Sequence, residues 1–194
     1  MRESAIGAMG KPRSPWPPYL EPGLNWPQPR YVPMDLDVAA KTTLLKTIPH
    51  GLFICGVAEG EAVNGFTASW VTQGSFKPPL VVMGVRSDST SHGMIQHTGR
   101  FSLNVMEVGQ QEVVARFFRP QAAVGGRLAE VPYRLGVVLG LPLLEDCLGG
   151  LECELVGHVA AGDHTVFVGE VKAAMLHREG EALTMAHTRW TYGG

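Results

Sequence analysis

The sequence predicts a mainly β chain, a barrel of short strands with a few short helices plugging its ends. Three observations carry that reading. Short apolar runs recur between turns rich in Gly, Pro and Ser; residues 151–176 alternate apolar and polar side chains about a Gly-Asp turn; and only three segments have helical spacing.

The 194 residues suit one domain with an appendage. Charged residues are 18% of the chain, below the globular average of about 25%, so part of the surface is expected to be covered by another subunit. The net charge of −2 and the lack of a Lys/Arg cluster interleaved with aromatics argue against nucleic acid as a partner. The longest membrane-like run, 135–144, is half of the roughly 20 residues needed to span and contains Pro142, so no membrane association is expected. The N-terminus lacks an apolar signal region, and a cytoplasmic location follows as the expectation. Cys55, Cys147 and Cys153 have no metal-binding spacing and read as reduced thiols.

The chain divides into a Pro-rich N-terminal arm, residues 1–34, and a domain, residues 35–194. Eight of the 14 prolines fall between Pro12 and Pro33, where a fixed φ and a missing N–H disfavour helix and internal strand. The arm carries Trp16, Tyr19, Trp26 and Tyr31, more rings than a solvating tail holds, and is expected to lie along the domain or across a partner subunit. In the domain, Leu36, Ala39, Ala40 and Leu44 suit a short helix ended at Ile48-Pro49. Strands are expected over 50–58, over 63–75 with bulges at Gly65 and Gly74, over 80–86, whose two apolar faces place it centrally, and over 101–106. Residues 91–98 read as a Ser-capped helix stopped by Gly99, and 109–118 as a helix with Val114, Phe117 and Phe118 on one face. Residues 119–150 read as loops. Strands 151–159 and 164–176 form a hairpin about Ala161-Gly162-Asp163, with Leu151, Cys153, Leu155 and Val159 opposite Glu152, Glu154 and His158.

Sharper catalytic motifs are missing. No GxGxxG follows a strand, and there is no P-loop, HExxH, GxSxG or paired CxxC. His92 and His97 stand on different faces of one short helix, and no metal site is expected. What remains is residues 64–104. The turn Ser87-Asp88-Ser89-Thr90-Ser91-His92 opens a helix whose free N–H groups suit a phosphate, with Arg86 before it as a cation. Such a cluster also serves simply to cap a helix, and Asp88 opposes an anion beside its own side chain. The preceding Asn64 to Val71 run has small residues that let the backbone approach a flat heterocycle closely; a tightly packed, bulged strand is its other reading.

Seven elements in order resemble the flavin reductase-like proteins: Asn64-Gly65 with Ala68; Pro78-Pro79-Leu80; Ser89-Thr90-Ser91-His92; Gly99-Arg100-Phe101-Ser102-Leu103-Asn104; Gln111 to Phe117; Gly162-Asp163-His164; and Gly169-Glu170-Val171. The resemblance implies an FMN-binding split β-barrel, usually a homodimer with the flavin near the subunit boundary. It implies that Thr67, Ala68, Ser69 and Trp70, with Val71 beside them, line the ring and ribityl chain. Ser89, Thr90, Ser91, His92 and Arg86 hold the phosphate, Phe101 and Asn104 support the pocket, and Asn64 sits at its rim. His164, the family's Gly-Asp-His histidine, is the catalytic candidate; a histidine that bonds its own hairpin is the alternative. Tyr192 or Trp190 stacks near the flavin or only pins the last strand.

Such a protein needs no activated nucleophile, because the redox chemistry belongs to the cofactor. The function implied is hydride transfer from NADH or NADPH to FMN, with FAD as the alternative flavin. Electrons then pass to free flavin, oxygen, a metal complex or a redox partner such as a monooxygenase. The rival is a flavin-binding relay module without nicotinamide turnover, favoured if the arm or Trp70 fills the cleft above the ring.

Overall fold

The structure, a computed structural model, describes residues 36–160 and 162–193. The Pro-rich arm and Ala161 of the expected hairpin turn lie outside the described residues. The chain divides into the units Met1–Val38 and Ala39–Gly194, and the sheet belongs to the second. The elements are α1 (Val38–Lys46), β1 (Phe53–Glu59), β2 (Ala62–Ala68), β3 (Val71–Phe76), β4 (Pro79–Arg86), α2 (Thr90–Thr98), β5 (Arg100–Val105), α3 (Gln111–Arg116), β6 (Gln121–Val124), β7 (Arg127–Leu128), β8 (Val131–Leu135), β9 (Pro142–Leu144), β10 (Gly149–Ala160) and β11 (His164–Leu176). A 3-10 turn, Met185–His187, follows. The chain is mainly β with short helices, and its strands form one open antiparallel sheet in the order β3-β4-β11-β10-β5-β1-β2-β6-β7-β8-β9.

Alternation along the central strands gives this sheet a core on each face. Cys55 and Val57 of β1, Ala68 of β2, Val81, Met83 and Val85 of β4, Phe101 and Leu103 of β5 and Phe167 of β11 share the first, which Met94 and Ile95 of α2 close. Leu52, Ile54 and Met106 point the other way, into a second core with Val114 and Phe117 at α3, Leu128, Val131 and Leu144 of the short strands, and Leu183.

Buried polar groups bracket the second face. Ser102 donates to the Pro142 carbonyl at 2.6 Å, and Asn104 donates to Ile54 O at 3.0 Å while accepting the Leu144 N–H at 2.8 Å. The Glu152 carboxylate accepts the N–H groups of Leu139 at 2.8 Å and Val138 at 3.2 Å. These bonds hold residues 138–144 across β5 and β10 where short strands alone supply few ladder bonds.

Several expectations need correction. Residues 63–75 are two strands, because the chain leaves the sheet at Ser69-Trp70 and β3 pairs with β4 instead of continuing beside β1. Gly65 pairs in register with Gly56 and makes no bulge, whereas the register shifts between Gln73 and Ser75, at Gly74. Strand β4 lies next to the β3 edge, and burial alternates along it through Val81, Met83 and Val85. Phe118 is 55% exposed, away from the face of Val114 and Phe117. Residues 119–150 hold four short strands. In β10, Glu152 is buried and Val159 exposed, because register shifts after Glu152 and Leu155 reset the alternation.

Candidate functional site

The site begins where β2 ends. Trp70 O accepts the Gly84 N–H at 2.9 Å, which joins the break to β4. Gly84 matters by its lack of a side chain: a Cβ there would stand 3.1 Å from Trp70 Cε3, so glycine lets the indole lie against the strand. Beyond β4 the turn enters α2 as the capping residues dictate. Ser89 Oγ accepts the His92 N–H at 3.2 Å, and Gly99, at φ 67°, closes the helix by donating its N–H to Ile95 O. Thr90 and Ser91, the first helical residues, present N–H groups with no acceptor inside the helix.

The ribbon and the turn open on one cleft of about 860 Å³. Thr67, Ser69, Trp70, Arg86, Ser89, Thr90, His164 and Tyr192 of the expected residues line it. The others lie elsewhere, each for a stated reason. Ala68 is buried in the first core and Val71 packs against it, because β2 and β3 turn those positions inward. Phe101 is fully buried in the same core. Asn104 spends its amide on the second face as a structural bracket. His92 turns inward from α2, where its Nε2 bonds Thr165 Oγ1 at 2.8 Å and its ring packs on Phe167; burial, with His158 nearby, lowers its pKa. Ser91 is fully buried, and its Oγ and Asn64 Oδ1 have no partner among the described residues. Thr67 lines the cleft, but its hydroxyl proton is already donated to Val114 O at 2.9 Å, so it can only accept from a ligand.

Charge at the turn is internally balanced. Arg86 Nη2 stands 2.5 Å from Asp88 Oδ2, which raises the arginine pKa and lowers that of the carboxyl. His164 Nδ1 lies 2.9 Å from Asp163 Oδ1 and its Nε2 3.2 Å from the Tyr192 hydroxyl. The Asp163 carboxyl is held low by that bond. Trp70 packs on both rings, with centroids 4.4 Å from His164 and 5.4 Å from Tyr192. Burial raises the Tyr192 phenol above its ordinary pKa, partly offset by Arg86. Trp70, Arg86, Asp88, His164 and Tyr192 also line a second cavity of about 800 Å³ with Leu45, Ile48 and His50, so these residues form a wall between two hollows.

Sequence reasoning missed one part of the lining. Phe117, Phe118, Arg119 and Pro120 follow α3, and Met185, Arg189 and Thr191 belong to the C-terminal segment. Phe118 and Trp190 meet edge-on at 4.8 Å and 78°, and this contact joins the two segments. Adjacent aromatic and cationic residues at 118–119 and 189–190 were the available signal. No cluster of His, Cys, Asp and Glu able to hold a metal occurs among the described residues, and no helix among them is long and apolar enough to cross a membrane.

Similarity to known proteins is extensive. A putative diflavin flavoprotein of Nostoc is 34% identical over 155 residues, covering 80% of this chain and 26% of that protein; the chain spans about a quarter of the length of the first such relatives. The NADH:FAD oxidoreductase of Streptomyces globisporus superposes with a TM-score of 0.62 at 28% identity, over 74% of this chain and 86% of that one. The FMN-binding protein of Thermus thermophilus, solved with bound 1-cyclohex-2-enone, gives 0.59 at 30% identity, over 67% and 72%. The family described as flavin reductase like domain matches residues 45–194. That match runs from the end of α1 onward and takes in well over half of the chain, and the protein belongs to the flavin reductase-like domain family.

Proposed function

We propose that the protein is an FMN-binding, NAD(P)H-dependent flavin reductase. The carrying observation is the single cleft that joins the Thr67–Trp70 ribbon, the opening of α2 and His164. Its residues fit a flavin. The Thr90 N–H at the opening of α2 suits a phosphate, Gly84 seats the Trp70 indole against β4 at the cleft wall, and the lining mixes Leu52, Phe66 and Phe117 with polar groups, as an amphipathic ring requires. FAD is the alternative flavin.

A bound flavin would supply hydride acceptance and electron release. The chain's residues do the positioning. The Thr90 hydroxyl and the N–H groups opening α2 would hold the phosphoryl end, the Ser89 hydroxyl proton being donated to Arg86 O at 3.0 Å, while Ser69 and the backbone of the ribbon would face the ring edge. Asp163 orients the His164 imidazole, whose Nε2 meets the Tyr192 hydroxyl at the cleft wall. The pair can hold a proton there. NADH or NADPH would be the hydride donor, and free flavin or a redox partner protein such as a monooxygenase the acceptor. The open sheet, curled so that β9 packs back on β1, β5 and β10, supports a split barrel. A homodimer is expected from the low surface charge and from exposed Leu44, Leu45 and Ile48, and the three buried free thiols agree with a cytoplasmic location.

A second reading, a flavin-holding relay without nicotinamide turnover, is favoured by Trp70, whose packing on His164 narrows the space beside the ring. Mixing the purified protein with FMN and NADH and following loss of the flavin's visible absorption decides between them. Acceleration over free FMN is expected. Flavin bound without acceleration leaves the relay, and no flavin affinity removes both.

A further inference from the structure

Four of the eight arginines among the described residues are held by carboxylates or backbone carbonyls, while Arg134 meets the Met175 sulfur and Arg100 Nε is buried without a partner, away from the cleft. Arg86 is held by Asp88, and Arg178 by Glu107 and Asp146; Arg116 and Arg127 donate to the Ala129 and Glu130 carbonyls. Among the described residues, no carboxylate or carbonyl takes the guanidinium of Arg119 or Arg189, and both line the larger cleft. They come from distant parts of the sequence, and the Phe118–Trp190 contact brings their segments together. Asp88, the carboxylate in that lining, is already engaged by Arg86.

The cleft therefore has two features that attract anions: the N–H groups opening α2, and two unspent guanidinium forks. A flavin mononucleotide has one phosphate and uses the first. The cleft volume of about 860 Å³ lies within the roughly 300–1,000 Å³ found for ligand pockets. Planar guanidinium groups match paired phosphate oxygens in two-point contacts. The geometry points to Arg119 and Arg189 as a diphosphate subsite for a dinucleotide bound in the same cleft, either FAD or the nicotinamide hydride donor. This rests on the flavin reading above.

ADP-ribose carries the diphosphate without either redox ring, so calorimetric titration of the full chain with it tests the subsite directly. Saturable binding is expected, weakened about tenfold or more in Arg119→Ala/Arg189→Ala and partly kept in the double lysine variant, which retains charge but not the fork. FMN affinity should stay within about twofold, and the variants' melting temperatures verify that they fold. Absent ADP-ribose binding at millimolar concentration, equal binding by the alanine variant, or parallel loss of FMN and ADP-ribose would each overturn the assignment. Failure of the wild-type chain to bind FMN would strike the flavin reading and still leave the ADP-ribose titration decisive for the subsite. The source follows from two further arms. A raised KM for NADH at unchanged kcat assigns the diphosphate to the hydride donor, and loss of any preference for FAD over FMN assigns it to the flavin.

Discussion

The two faces of the sheet are packed by different means. The first core is almost wholly apolar and is sealed by α2; His92 and Thr165 are its polar pair, bonded to each other. The second is assembled from α3, four short strands and the C-terminal segment, and it depends on Ser102, Asn104 and Glu152 to hold irregular backbone in place. The first touches the cleft through Phe66 and Val85, the second through Leu52, Phe117, Met185 and Trp190. One face supplies stability, and the other gives up some regularity to build walls for a ligand.

Truncating one ring on each face tests that division most severely. Phe101→Ala and Phe117→Ala each remove a fully buried side chain, and each should cost about 3–5 kcal/mol in urea unfolding. Folded Phe101→Ala should keep its FMN affinity, and folded Phe117→Ala should lose it. Equal flavin affinity in the two variants would break the comparison.

Glu152→Ala probes the bracket alone. It leaves the Val138, Leu139 and Leu141 N–H groups without their acceptor, for about 1–3 kcal/mol. Hydrogen exchange should quicken at those three amides and stay unchanged in α2. Thr67→Val should cost about 0.5–1.5 kcal/mol by removing the hydroxyl bond to Val114 O, which keeps the Phe117 N–H, a loss readable as earlier melting of α3.

The smallest effect separates the faces by pH. The native pKa of His92 lies below its unfolded value of about 6.5, so the unfolded chain takes up the proton first. The stability contributed by the neutral ring is complete above that value and is lost as pH falls through the lower native one. His92→Gln should flatten the melting-temperature profile between about pH 7 and 5. A slope as steep as the wild type's would place the sensitivity elsewhere.

Legibility in the sequence followed the range of the forces involved. The α2 helix could be read because its cap at Ser89 and stop at Gly99 are local, and so could the β10–β11 hairpin, whose pairing stays in register beside its turn, from Gly157 with Val168 to Ala160 with Thr165. The break at Ser69-Trp70 could not, since it depends on β4 capturing the next strand. Residues 121–144 carry weak local pattern because their order comes from Asn104, Ser102 and Glu152, side chains on other strands. In the site, the turn and the ribbon were found as neighbours in sequence. Ala68, Val71, His92, Phe101 and Asn104 turned out to face a core or a backbone bracket, and Arg119 and Arg189 went unnoticed because only an aromatic contact between remote segments brings them together.

Trp70 belongs to the partition between two hollows, with one indole bordering both. With Trp16, Trp26 and Trp190 replaced by phenylalanine, its emission becomes a gauge of occupancy: ligands entering either chamber meet the same fluorophore, and two ligands added in turn will report on each other without any label.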